Sequence, residues 1–257
     1  MLLKKNVISF YTIVRKEWIR IIRIWIQTLL PPVITIMLYF GIFGKLIGQR
    51  IGEIDGFSYI HYIIPGLIMM TIIQNSYSNV VSSFFSAKFQ GNIEELLISP
   101  TNNSVIIIGY VFGGAMRGLI IGLLITIISL HFSNLQIKNL VVTCLVAILS
   151  SVLFALAGMI NGILAKKFDD ISLIPTFVLN PLIYLGGVFY STSLLSDFFK
   201  SIIYFNPIFY IISAFRYGII GSADVNINVS LGIMIMFIFL LFFMTLSIFK
   251  KKIVMKS

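Results

Sequence analysis

An all-α polytopic membrane protein is the fold class this sequence predicts, on three observations. Hydrophobic residues make up 58% of the 257 positions and charged ones 11%, with a mean hydropathy of +1.02, far outside the range of water-soluble domains. Apolar runs long enough to cross a hydrocarbon core of about 30 Å, roughly 20 residues each, recur along the whole chain. Lys and Arg are shared unevenly between the segments that separate those runs, which is how polytopic proteins encode orientation. Six transmembrane helices are expected, near Leu29–Ile47, Tyr59–Phe84, Ser104–Leu130, Leu140–Ala165, Ile171–Phe189 and Val229–Phe249. An amino-terminal interfacial helix precedes them, and an external re-entrant helical cap separates the fifth from the sixth. Residues 1–26 then form the cytoplasmic amino terminus and interfacial helix, 27–249 one transmembrane domain, and 250–257 a basic cytoplasmic tail.

With six spans both termini share a side. That side holds thirteen of the nineteen Lys and Arg residues, including Arg15, Lys16, Arg20 and Arg23, Lys88, Lys166 and Lys167, and the Lys250 cluster, against five on the other. The excess assigns both termini to the cytoplasm. The net charge of +10 is accounted for by topology and gives no reason to expect a nucleic acid partner.

From Tyr11 to Trp25 the apolar residues Tyr11, Val14, Trp18, Ile21, Ile22 and Trp25 form one helical stripe, with Lys16, Arg20 and Arg23 opposite. That pattern fits a helix lying in the membrane interface, its Trp residues at the acyl boundary and its basic face toward anionic headgroups or a partner. Pro31-Pro32 suits a change of direction from the membrane plane into the first span. The second span carries polar Gln74, Asn75 and Asn79.

Between the second and third spans lies Gly91-Asn92-Ile93-Glu94-Glu95-Leu96-Leu97-Ile98-Ser99-Pro100. Asn92 can cap a short helix over 92–99, Glu95 can reach back as in a capping box, and Pro100 ends it. Ile93, Leu96 and Leu97 share one face at helical spacing. A short, rigid, acidic-and-apolar helix on the cytoplasmic side is what a contact with an energy-coupling protein needs, and a surface loop lying at the headgroups is the competing reading.

The third span holds Arg117 at its centre, where charge is costly and finds either a structural hydrogen-bond role or a pathway role. Gln74, Asn75 and Asn79, backbone carbonyls or an anionic group are its expected partners. Gly114, Gly118 and Gly122 recur every fourth residue, and Gly158 and Gly162 repeat the pattern in the fourth span, so these two helices are expected to pack against each other. Cys144, the single cysteine, excludes an intrachain disulfide and reads as packing. Lys166 and Lys167 close the fourth span and Asp169 and Asp170 open the fifth, complementing both helix dipoles. Pro175 and Pro181 interrupt the fifth span, which makes it a candidate for lining a pathway or a kinked packed helix. The apolar part of the next stretch, Ile208 to Ile220, is too short to span and contains Arg216, so an external cap over 191–221 is expected, built from two short helices, Ser193–Tyr204 and Pro207–Gly221.

Chemistry of its own is not expected. Gly41 to Leu46 has the wrong spacing for a P-loop. His61 and His131 stand at outer span ends without Cys or carboxylate at ligand spacing, and all nine acids fall in expected loops or terminal segments. No catalytic, cofactor-binding or metal-binding residue is assigned, and no intramembrane carboxylate is expected to power a carrier.

Taken together, Arg15-Lys16-Glu17-Trp18, the run Pro65 to Met70, Asn92 to Leu97, Phe168-Asp169-Asp170-Ile171, Tyr184 to Tyr190, Asn206-Pro207 and Phe215-Arg216-Tyr217-Gly218 resemble the ABC-2 type permeases, the membrane subunits of bacterial exporters. The resemblance covers nearly the whole chain and implies a multi-pass protein of the bacterial inner membrane that binds no cofactor itself. It implies two copies pairing in the lipid bilayer, a separate ABC ATP-binding subunit docked at the coupling helix through Ile93, Glu94, Glu95, Leu96 and Leu97, and a gate at the external cap around Arg216. It names no cargo. A secondary carrier or channel working without an ATPase, and a membrane enzyme built on Asp169 and Asp170, are the other classes left standing.

Overall fold

The computed structural model describes residues 2–99, 101–133 and 136–254, and among them the chain is helical apart from one short hairpin and its connections. Four helices are long and apolar enough to cross a membrane: Trp25–Gly44, Asn103–Leu130, Leu140–Leu164 and Ile227–Lys251. A pair of helices bent by 92°, Asp197–Tyr204 and Pro207–Ile220, passes the same test only when taken together.

Helix α1 (Leu2–Arg23) is separated from α2 (Trp25–Tyr39) by a turn at Ile24. The change of direction therefore comes before Pro31-Pro32, which lie inside α2 and do not make the turn expected of them. From Phe40 to Ile47 the helix widens to π geometry and closes as α3 (Gly48–Ile51). The two-residue strands β1 (Glu53–Ile54) and β2 (Phe57–Ser58) pair antiparallel around Asp55-Gly56, both at positive φ.

Helix α4 (Tyr59–Phe89) is the axis of the molecule, and its 31 residues span about 46 Å at 1.5 Å per residue. Its middle is more polar than the four apolar helices, yet most of it is buried, Asn75, Ser76 and Asn79 included. A polar helix is stable there because its neighbours, and not lipid, meet its side chains. Those neighbours are α6 (Asn103–Phe132) and α7 (Leu140–Leu164). Gly114, Gly118 and Gly122 of α6 face Val80, Ser76 and Ile72 of α4, while Gly158 and Gly162 of α7 lie over Tyr77 and Phe84 of the same helix. A Cβ at Gly158 would stand 2.5 Å from the carbonyl oxygen of Tyr77. Helices α6 and α7 do pack against each other as expected, with Gly114 beside Ala155 of α7, but both glycine rows chiefly clasp α4: a small-residue row says that a helix comes close, not which one. Cys144 is exposed on α7 and does not pack as expected.

After α7 come α8 (Asp170–Ile174), a wide turn over Pro175–Leu179 and α9 (Asn180–Leu185). This helix ends four residues before the expected Phe189, at Gly186 and a left-handed Gly187. The bent pair is α10 (Asp197–Tyr204) and α11 (Pro207–Ile220), matching the two short helices expected within a few residues. Helix α12 (Ile227–Val254) carries the start of the expected tail as a continuation of its own turns. Its outward face exposes Phe239, Leu240 and Phe243.

Candidate functional site

Helix α5 (Asn92–Ile98) follows α4 after a two-residue turn. Gly91 at φ 79° is the residue before the first turn, and no side chain caps the helix. Asn92 instead donates to the Gln90 side chain at 3.1 Å, so the capping box expected of Asn92 and Glu95 is not formed. A residue free to adopt positive φ lets the chain reverse tightly at this point, which Asn92 inside the helix could not do. The Ser99 hydroxyl donates to the Leu96 carbonyl at 2.7 Å and satisfies the last turn. Ile93 is buried in a cluster with Ile13, Phe84, Ile106 and Tyr110, and Leu96 packs at its edge. Glu94, Glu95 and Ile98 face outward, Ile98 being 86% exposed. The helix is therefore nailed to the bundle by one face and presents two carboxylates and an isoleucine on the other. Pro100 and the side chains of Leu97 and His131 lie outside the described residues.

Beside α5, helix α1 runs across α4 and α6 with a different face inward from the one its apolar stripe suggests. Ile13, Glu17 and Ile21 are buried, whereas Tyr11, Trp18, Ile22 and Trp25 are exposed. The exposed stripe suits the membrane interface. The inward row is steered by glycine, since Gly109 and Gly113 of α6 leave room for Ile13 and Glu17. Glu17 is 0% exposed. It accepts from Arg20 Nη2 at 3.1 Å, from Asn79 Nδ2 at 3.4 Å and from the Ser83 hydroxyl. Arg20, expected to face headgroups, also donates to the Asn79 side-chain oxygen at 2.6 Å and to its carbonyl at 3.1 Å. Arg15, Arg20 and Arg23 line a groove of about 570 Å³ between α1, α4 and α5.

Arg117 of α6 reaches the same network from inside the bundle. Its Nη1 stands 3.4 Å from the Asn79 side-chain oxygen and its Nη2 3.5 Å from that of Asn75. Asn75 and Asn79 are thus the partners expected for it, while Gln74 instead donates to Asn180 of α9 at 3.0 Å. Arg117, Asn75, Gln74 and Asn180 border a cleft of about 350 Å³ between α2, α4 and the α8–α9 segment. The buried Glu17 near this cluster was not foreseen, because an acid in an amphipathic terminal helix reads as solvated; its signal is the spacing Ile13, Glu17, Ile21, one residue every four.

At the other end of α4 the cap is held by charge. Arg216 of α11 is 1% exposed, and its Nη1 pairs with Asp224 at 2.7 Å while Nη2 donates to the Gly187 carbonyl at 2.5 Å. The guanidinium lies 4.0 Å above the Tyr62 ring. Asp224 also accepts from Thr192 at 2.8 Å, and Asp55 of the hairpin turn accepts from Ser191 at 2.6 Å and Ser193 at 3.2 Å. Near the α5 end, Asp170 accepts from the backbone N–H groups of Lys166 and Lys167 at 2.7 and 3.0 Å, which hold its carboxyl below the usual carboxylate range. Asp170 is a turn-forming residue in this geometry.

The family profile described as ABC-2 type transporter matches residues 8–220. The chain is 58% identical over 218 residues to the inner membrane transport permease YadH of Escherichia coli strain K12, covering 85% of each protein. It is 21% identical over 216 residues to nodulation protein J of Rhizobium meliloti strain 1021, covering 84% of this chain and 82% of that protein. A second nodulation protein J, from Rhizobium leguminosarum bv. viciae, is 23% identical over 189 residues, or 73% of each.

Proposed function

The chain belongs to the ABC-2 type transporter family as a membrane transport subunit, and from that membership and the geometry of α5 we propose that it is the permease of an exporter driven by a separate ATP-binding subunit. The observation that carries the reading is the two-faced anchoring of α5. Ile93 and Leu96 are set among residues of α1, α4 and α6, so a push on Glu94, Glu95 and Ile98 is passed to three long helices at once. Packed interiors transmit such a displacement because they have few voids to absorb it. The basic groove beside α5 offers the ATPase a second, oppositely charged foothold.

The chain crosses the membrane six times, by α2 with its wide-turn extension, α4, α6, α7, α8–α9 and α12. Helix α1 lies in the interface. Both termini and α5 are cytoplasmic, and α10–α11 form an external re-entrant cap with Arg216 at its root. This arrangement is supported by the excess of Lys and Arg on one side and by the cap pair being too bent for an ordinary crossing. The membrane is the bacterial inner membrane, a reading supported by the likeness to the Escherichia coli inner membrane transport permease. Two copies pair, a reading that rests on the family likeness. Arg117, Gln74, Asn75 and Asn79 border the translocation path, while ATP is bound and hydrolysed by the partner and this chain carries no cofactor or catalytic group.

Co-expressing the tagged chain with the ATP-binding proteins encoded beside it, then purifying in mild detergent, tests the reading. One ATPase is expected to remain bound to the parent and to be lost from a Glu94→Lys, Glu95→Lys variant. Purification of both forms without any ATPase would point to a carrier or channel that works alone.

A further inference from the structure

Resting on the permease reading, we propose that the cleft beside Arg117 receives the anionic headgroup of an amphipathic cargo: a phosphate, sulfate or carboxylate with an apolar body. Arg117 stands fourteen residues into α6, roughly 21 Å along its axis, and thus near mid-membrane. A guanidinium has five N–H donors and is never neutral. This one makes two stretched contacts, at 3.4 and 3.5 Å, beyond the usual 2.7–3.2 Å for such bonds. Its Nε is buried and has no partner among the described residues. Neither acceptor is free to improve, because the Asn79 oxygen is already taken by Arg20 at 2.6 Å and Asn75 is tied through its amide nitrogen to the Thr71 carbonyl at 2.9 Å.

Charge accounting points the same way. The network joins the guanidinium groups of Arg20 and Arg117 to the carboxylate of Glu17, leaving one positive charge over in a medium where an unpaired ion is costly. Among the described residues Arg117 is the charged one lining the cleft, whose other polar members, Gln74, Asn75, Ser78 and Asn180 among them, are neutral. No carboxylate of the described residues lines it to compete with an incoming anion. The volume of about 350 Å³ falls within the range of small-molecule pockets, about 300–1,000 Å³, and far exceeds what a single halide ion would fill. Pro31, Pro32, Ile36, Met70 and Leu179 complete the wall, and the flanking helices expose Leu30, Ile34, Phe177 and Val178. An apolar tail attached to the anion would find matching surface on both sides of the cleft.

The test uses the full chain purified in a neutral maltoside detergent, with no ATPase present, titrated by thermal stabilisation. The probes are decyl phosphate below its micelle-forming concentration, inorganic phosphate and decyltrimethylammonium. Decyl phosphate is expected to stabilise the parent saturably, to bind Arg117→Gln about ten-fold or more weakly through loss of a charge-assisted contact, and to keep most of its affinity for Arg117→Lys. Ser78→Trp fills the cleft, leaves Arg117 in place and should weaken binding too, which covers the case of an Arg117→Gln protein that does not fold. Equal affinity for parent and Arg117→Gln, or stronger binding of the trimethylammonium probe, overturns the proposal. Inorganic phosphate binding as tightly as decyl phosphate would overturn the requirement for an apolar body. Because no ATPase takes part, failure here leaves the coupling role of α5 untouched, and loss of ATPase binding leaves this site untouched.

Discussion

Two arginines of this bundle, the buried Arg216 and the half-buried Arg117, are treated in opposite ways. Arg216 at the cap end has a carboxylate at 2.7 Å, a carbonyl at 2.5 Å and an aromatic face at 4.0 Å. Arg117 at mid-bundle has two amide oxygens at 3.4 and 3.5 Å, one of them shared. A charge kept for structure is given a carboxylate at close range, because breaking a buried pair leaves an uncompensated ion. A charge left half-met beside a cleft is held ready for something that comes and goes. The difference separates a fixed plug at one end of α4 from a working surface near its middle.

The largest effect should come from unpairing the salt-bridged arginine. Asp224→Ala leaves Arg216 buried without its carboxylate and is expected to cost about 3–5 kcal/mol, read as a lower unfolding midpoint in detergent. A cost near zero would mean that the Gly187 carbonyl and Tyr62 suffice, and the contrast between the two sites would collapse. Next, Glu17→Gln removes the carboxylate from the Arg20 and Arg117 network; about 2–3 kcal/mol is expected, with earlier proteolytic cutting at the Ile24 turn as α1 loosens. Arg117→Gln should cost the fold less than about 1 kcal/mol, since its present bonds are long and shared, while weakening binding at the cleft about ten-fold or more. A loss as large as that of Asp224→Ala would make Arg117 a structural residue. The smallest effect belongs to a solvated charge. Asp170 has a lowered carboxyl pKa because it accepts from two backbone N–H groups; its contribution is therefore complete at neutral pH and is lost only as the pH falls through values below the usual carboxylate range. Protection of the Lys166 and Lys167 amides, measured relative to their intrinsic exchange rates at each pH, should persist at neutral pH and fall in acid, whereas in Asp170→Asn it should be reduced throughout.

Much of the architecture was legible in composition and periodicity. The short helix after α4, the cap helices near 193–221 and the helical segments all follow from run length, turn residues and the position of charge. What escaped is the identity of neighbours. Gly114, Gly118 and Gly122 announce a close approach, but only three-dimensional packing shows that α4 takes both glycine rows. Hydrophobicity ordered the faces of α1 for the bilayer, whereas Glu17 was drawn inward by Ser83, Asn79 and the room that Gly113 leaves, a tertiary effect that no single-helix reading contains. Asp224 was likewise hidden as a partner of Arg216 because the link crosses a loop. For the candidate site, Arg117, Asn75 and Asn79 were readable as polar residues that meet one another, and α5 as a short helix with an apolar and an acidic face. The cleft that joins Arg117 to α2 and α9 was not, since its walls come from segments that share no motif.

Cross-linking from the outward face of α5 tests the central claim most directly. Cys144 is the single cysteine, so Ile98→Cys in a Cys144→Ser background carries one reporter thiol, which can be joined in membranes to a co-expressed ATP-binding subunit with a short bifunctional reagent. The account predicts a cross-linked pair from Ile98→Cys and none from Lys138→Cys on the cap side. A product from Lys138→Cys, or from neither position while the ATPase still co-purifies, would contradict coupling through α5.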